Sequence, residues 1–147
     1  MIFAEFKDFV AQMPPVGRLM GVDWGKRRIG VALSDARREF VFPRGVIENA
    51  KGESAIIEIT NSEKPVGIVV GMPRHADGTD SETTVAVRKF AEELSAATDM
   101  PITFTDERLT SAEAGERTGG DKKSPIDDMA AAVILEDAIA MIKRMGK

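Results

Sequence analysis

The stretch Leu19-Met20-Gly21-Val22-Asp23-Trp24-Gly25-Lys26-Arg27-Arg28-Ile29-Gly30-Val31-Ala32-Leu33-Ser34 holds two apolar patterns of different kinds. Residues 19–24 are nearly continuous in apolar character, as expected of a strand buried on both faces. In residues 28–34, Ile29, Val31 and Leu33 alternate with Arg28, Gly30, Ala32 and Ser34, the period of a pleated strand. Only Gly25-Lys26-Arg27 lies between them, so the two strands should form an antiparallel hairpin. Asp23 is the anomaly, because an ionised carboxylate in a sheet is costly unless a cation or a set of donors satisfies it. Either it caps the turn, accepting from N–H groups at Gly25 or Lys26, or it belongs to a site.

Outward from the hairpin, residues 40–47 make a third strand, with Pro43 suited to an edge or a bulge. Residues 50–62 read as a helix with Ile56 and Ile59 inward, and residues 66–71 as a buried central strand after Pro65. Thr79-Asp80-Ser81-Glu82 is a capping box before a helix that carries Val87, Phe90, Ala91 and Leu94 on one face. Residues 102–107 form the next strand, with Thr103, Thr105 and Glu107 on one side. A second capping box, Thr110-Ser111-Ala112-Glu113, starts a further helix. Ser124-Pro125 then opens the last helix, which runs to about Met145. Before the hairpin, Phe3, Phe6, Phe9, Val10 and Met13 recur at helical spacing until Pro14-Pro15. We therefore expect an appended helix over residues 1–16 and one α/β domain over 17–147, a mixed five-stranded sheet with helices on both faces.

The 147 residues suffice for one domain with a real core. Hydrophobic residues at 43% and charged ones at 30% are globular values. The absence of cysteine excludes disulfides, thiolate metal sites and thiol nucleophiles. The apolar run near the N-terminus is too short to span a bilayer and carries charges foreign to a secretory leader, so a cytoplasmic address without membrane contact is expected. A net charge of −4 argues at first against a nucleic-acid partner. The charge is unevenly spread, however. Between Gly17 and Gly45 stand seven basic and three acidic residues, so that stretch is +4 and the remainder −8. A basic edge on an acidic body can track phosphates; a solvated charged hairpin is the plain alternative.

Three acids fall at element ends. Asp23 closes the first hairpin strand and Glu107 closes a later one, where Asp106 and Arg108 also fit a surface ion-pair cluster. Asp127 stands third after Ser124, the position of a capping acid. Ala130, Ala131, Ile134 and Ala138 share its face, while Ala132, Leu135 and Ile139 share that of Asp128, so periodicity does not choose between the two. Strand ends and helix starts are where α/β sheets assemble sites. Carboxylates without thiols, and with a lone His75, suit a hard cation such as Mg²⁺ (or Mn²⁺). Such ions serve phosphodiester hydrolysis. The basic residues Lys26, Arg27, Arg28, Arg74 and Arg108 flank this set and should hold phosphates. With one Trp and no Tyr, a base-stacking platform is not expected.

The block 21–35 resembles the opening motif of the YqgF (RuvX-like) family. Ile68-Val69-Val70-Gly71-Met72-Pro73 with Asp77-Gly78-Thr79, Asp106-Glu107-Arg108-Leu109-Thr110-Ser111, and Ile126-Asp127-Asp128-Met129-Ala130-Ala131 are similar to its other blocks, in the same order. The resemblance runs from about Arg18 to Ile142, and the 114–123 connection is shorter than is usual in the family. It implies a ribonuclease-H-like sheet related to Holliday-junction resolvases and a metal-dependent nuclease that trims the 5′ end of pre-16S ribosomal RNA, in contact with ribosomal particles. Carried over by position, the family's acidic triad falls on Asp23, Glu107 and Asp127, which selects Asp127 over Asp128. Resolution of branched DNA and a non-catalytic RNA- or ribosome-binding role are the alternatives. An actin-like ATPase would need two such domains, and no G-x-G-x-x-G follows the first strand, which excludes a Rossmann enzyme.

Overall fold

In the computed structural model, residues 1–72, 82–106 and 127–145 are described. The chain opens with a short strand β1 (Ile2–Phe3) and helix α1 (Phe6–Gln12). The hairpin follows as β2 (Leu19–Asp23) and β3 (Arg28–Ser34), antiparallel, with Met20 opposite Leu33 and Asp23 opposite Gly30. Strand β4 (Val41–Glu48), a single 3₁₀ turn (Asn49–Lys51) and helix α2 (Gly52–Glu63) come next. Strand β5 (Gly67–Met72), helix α3 (Glu82–Ala97), strand β6 (Ile102–Asp106) and helix α4 (Asp127–Arg144) complete the described elements.

The sheet runs β1-β6-β5-β2-β3-β4, and only β3 opposes the direction of the others. The sequence led us to expect five strands, and the sixth comes from the N-terminus. Phe3 shares the packing of Phe6 and Phe9, which is why the spacing looked helical there. Its backbone is nevertheless extended beside β6, with Thr103 Oγ1 donating to Phe3 O at 2.9 Å and Ile102 N to Met1 O at 2.8 Å. A bare parallel edge leaves ladder groups unpaired, and two extended residues cover it.

Pro43 lies on the outermost strand and at a bulge, both of which its missing N–H tolerates. Val31 faces Gly45 and Ala32 faces Pro43, so Arg44 is the extra residue, and Gly45 adopts φ 146° there. Leu19, Met20, Val22, Val69 and Val70 are wholly buried, which explains the unbroken apolar runs of the two central strands. Side chains of α1 and α4 pack with Leu19, Ala32 and Val69 on one face. Those of α2 and α3 pack with Met20, Val22, Ile29 and Ile68 on the other. Val87, Phe90, Ala91 and Leu94 are buried, as the periodicity of α3 requires. No helix among the described residues is long and apolar enough to cross a membrane.

Candidate active site

Strand parity decides which residues share a face. Leu19, Gly21 and Asp23 are spaced by two, and a side chain on Gly21 would meet α4, with Ala131 O at 2.8 Å and Leu135 Cβ at 2.9 Å. Gly21 is thus the point where helix and strand touch, and Asp23 projects from the same face one repeat further on. The C-terminal half of α4 lies at the other end, where Glu136, Ile139 and Lys143 line a cleft with Arg38, Glu39 and Val41. The start of α4 is therefore directed towards the end of β2. Asp127 lies four residues, about 6 Å, before Ala131; Asp23 lies two residues, about 6.6 Å, beyond Gly21.

The neighbouring strands end at the same level. Val22 pairs with Val70, and Gly71 with Thr105. Continuing that register sets Asp23 level with Gly71 and Thr105, about 10 Å of sheet across. Gly71 has no side chain, so nothing from β5 stands between the other two on this face. Thr103 Oγ1, one repeat back, is satisfied by Phe3 O. Thr105 Oγ1 is buried without a hydrogen-bond partner among the described residues, a state that costs about 1–3 kcal/mol when nothing fills it. Asp23 itself is half-buried and engaged in an interaction within the protein.

Of the expected site residues, the structure describes Asp23 fully and Asp127 by its backbone, as the first residue of α4. Glu107, Arg74 and Arg108 lie outside the described residues, Glu107 directly after the end of β6. Among the described residues no three potential metal ligands converge. The donor chemistry suits a hard cation at Asp23, a carboxylate, while Thr105 Oγ1, a further oxygen donor, stands on the same level about 10 Å of sheet away.

Lys26, Arg27 and Arg28 are exposed on the turn that follows Asp23. The turn is braced from outside the hairpin. Asn49 Nδ2 donates to Gly25 O at 2.6 Å, and Asn49 N to Arg27 O at 2.8 Å. Gly25 must be glycine, because a Cβ would sit 2.5 Å from Arg28 O. Three other basic residues of the same stretch are used elsewhere, and the fourth, Arg37, is exposed at the opposite end of the hairpin. Arg18 and Arg44 pair with the two oxygens of Glu63 at 3.2 and 3.3 Å. Arg38 is buried, with Nε donating to Gly17 O at 2.8 Å and an Nη to Pro14 O at 2.9 Å; burial holds its pKa below the ordinary value. The charge run is thus a local basic turn rather than a continuous edge. The sequence places Thr105 on the face of Glu107 without marking a role for it, and leaves Asn49 unmarked, since it stands in no charged or periodic pattern.

The model of the RuvX family, described as Holliday junction resolvase, matches residues 17–141. The chain belongs to this family. A protein of Ruegeria pomeroyi named "Putative pre-16S rRNA nuclease" is 35% identical over 99% of this chain and 100% of its own length. One of Maridesulfovibrio salexigens with the same name is 37% identical, covering 84% of this chain and 98% of its own. Among solved structures, Thermus thermophilus RuvC in complex with a Holliday junction substrate aligns with a TM-score of 0.61 at 15% identity, over 89% of this chain and 97% of that one. The yeast mitochondrial Holliday junction resolvase Ydc2 aligns with a TM-score of 0.51 at 15% identity, over 95% and 86%. At such identities these two show the resolvase-like, ribonuclease-H-like fold. Family membership makes the chain a nuclease, a hydrolase of phosphodiester bonds.

Proposed function

We propose that this RuvX-family nuclease is a divalent-metal-dependent endonuclease of the cytoplasm, that Asp23, Glu107 and Asp127 are its catalytic carboxylates, and that it trims the 5′ end of pre-16S rRNA. One observation carries the site assignment: Asp23, the strand end leading into Glu107 and the first residue of α4 share one end of the sheet. The named relatives support the RNA substrate. Branched DNA is the second reading, favoured by the description of the family.

In this reading the three carboxylates hold Mg²⁺ or Mn²⁺, which when bound lowers the pKa of an attacking water and neutralises charge at the phosphate. The chain's own contribution is placement. Burial of β2 on both faces fixes the backbone of Asp23. The close approach at Gly21 brings the start of α4 to the same place. The ammonium of Lys26 and the guanidinium groups of Arg27 and Arg28, with Arg74 and Arg108, hold backbone phosphates, so recognition follows shape and depends on salt rather than on base identity.

The deciding experiment compares Asp127→Asn with Asp128→Asn. Successive helix residues differ by about 100° in direction, so only one of the two faces a site built from strand ends. Incubated with pre-rRNA and with four-way DNA junctions in Mg²⁺ or Mn²⁺, Asp127→Asn should lose cleavage with an unchanged melting temperature. Asp128→Asn should stay active and lose at most a helix-dipole contribution of about 0.3–1 kcal/mol. The reverse outcome would overturn the assignment. Binding to pre-rRNA without cleavage by the parent protein would instead favour a non-catalytic RNA-binding factor.

A further inference from the structure

The basic turn has a feature that its charges do not explain. Both carbonyls that bracket its exposed tip, Gly25 O and Arg27 O, are taken by one residue from another strand end, Asn49. The side-chain amide takes the first and the backbone N–H takes the second. Asn49 stands immediately beyond the last pair of the β3–β4 ladder, Arg28 opposite Glu48. From there it reaches across the end of β3 to the turn entered from β2.

We propose that Asn49 is a positioning residue for nucleic-acid binding, holding the Gly25–Arg28 turn so that Lys26 and Arg27 meet phosphates from a fixed backbone. This rests on the reading that the turn contacts phosphates. The physical case is entropic. An exposed turn without a partner for its carbonyls samples several conformations, and freezing it on binding subtracts from affinity. With both carbonyls claimed in advance, the side chains of Lys26 and Arg27 are all that remains to order. Gly25 supports this, because its missing Cβ lets the chain fold back against Arg28 O and present its own carbonyl to Asn49. The turn begins directly after Trp24, so the same brace limits drift at Asp23.

The proposal separates charge from placement, and salt dependence separates them in experiment. Counterion release depends on how many cations meet phosphates. Lys26→Gln and Arg27→Gln should each reduce the slope of log affinity against log salt by about 1. Asn49→Ala removes no charge. It should leave that slope unchanged and weaken binding at every salt concentration, by about five- to tenfold. The probe is a fluorescein-labelled RNA hairpin with a single-stranded 5′ extension, titrated by anisotropy in EDTA between about 50 and 200 mM KCl. Asn49→Leu, similar in shape but without the amide donor, should show the same loss and serves if the alanine variant folds poorly.

If Lys26→Gln and Arg27→Gln weaken binding while folded Asn49→Ala or Asn49→Leu binds like the parent and only melts lower, Asn49 is merely structural and the proposal is overturned. If all of these variants bind like the parent, the phosphate-contact reading fails and the proposal fails with it.

Discussion

The two ends of the β2–β3 hairpin are built from the same strands and similar residue types, yet they differ in how their polar groups are satisfied. At the Leu19/Ser34 end the bonds close on one another. Ser34 Oγ accepts from Leu19 N and donates to Asp35 O, both at 2.9 Å. Asp35 Oδ1 accepts from Glu39 N and Phe40 N at 2.8 Å each. Arg38, at φ 60°, ties this corner to Pro14 and Gly17. At the Asp23/Gly30 end the backbone is equally well braced, by Asn49, but the cations are presented outward: Lys26, Arg27 and Arg28 are exposed beside a half-buried Asp23, and on the same level Thr105 Oγ1 is buried without a hydrogen-bond partner among the described residues. Arginine locks one end and is presented at the other. Residue type alone does not distinguish structural from functional charge; the backbone acceptors within reach do.

The largest effect that would test this contrast is at Asp23. Asp23→Asn keeps volume and hydrogen-bonding capacity but removes the charge. Losing a group that merely orients a metal ligand already costs about 10–100-fold, so loss of a ligand should exceed about a hundredfold in cleavage rate while the melting temperature holds. If the variant cleaves normally but melts early, Asp23 is a turn cap and the two ends are alike after all.

Next in size is Arg38, on the closed end. Its guanidinium satisfies two backbone carbonyls in a buried setting, and hydrogen bonds to charged groups contribute about 1.5–3 kcal/mol each. Arg38→Met should lower stability by about 2–4 kcal/mol once the relief of a buried charge is set against them. That corresponds to roughly 5–10 °C in melting temperature, with cleavage per folded molecule unchanged. A salt-sensitive loss of RNA affinity in this variant, without a stability change, would make Arg38 part of the phosphate-binding surface.

This division also shows what the sequence could reveal. The hairpin, the buried centre of the sheet and the inward face of α3 were legible because strand and helix periods are written in side-chain polarity. Asp23 was legible as an anomaly within such a period. Arg38 was not, because a buried arginine and a solvated one look the same until the carbonyls of Pro14 and Gly17 are known to face it. Phe3 was misleading for a related reason: it packs with the aromatic residues of α1 while its backbone belongs to the sheet. Asn49 and Thr105 act through register, Asn49 across the end of β3 and Thr105 across Gly71, and pairing between distant strands leaves no local mark. Asp127 and Asp128 could not be separated by period, since Ala131 to Leu135 are all buried in α4 and both faces lead into the core.

The smallest effect is at Asp35, and its sign is determined. The backbone N–H of Phe40, followed by that of Glu39, holds the Asp35 carboxyl below its ordinary value of 3.8 against an opposing contribution from desolvation. Those donors act only in the folded chain. A carboxyl whose folded pKa is depressed contributes stability that is fully present above the ordinary value and is lost as the pH falls through the folded one. Asp35→Asn keeps an acceptor at Oδ1 but cannot ionise. It should therefore be slightly less stable than the parent near neutral pH, and the two urea midpoints should converge as the pH drops below 3.8. Asp35 lies on the surface, where water and salt screen such interactions, so the gap should be small and should narrow further at high ionic strength. Parallel midpoint curves from about pH 7 to about pH 2.5 would show that the Asp35 charge contributes nothing. The closed end of the hairpin would then be held by Ser34, Arg38 and the Asp35 hydrogen bonds irrespective of charge, and the contrast with the Asp23 end would rest on hydrogen-bonded groups rather than on surface charge.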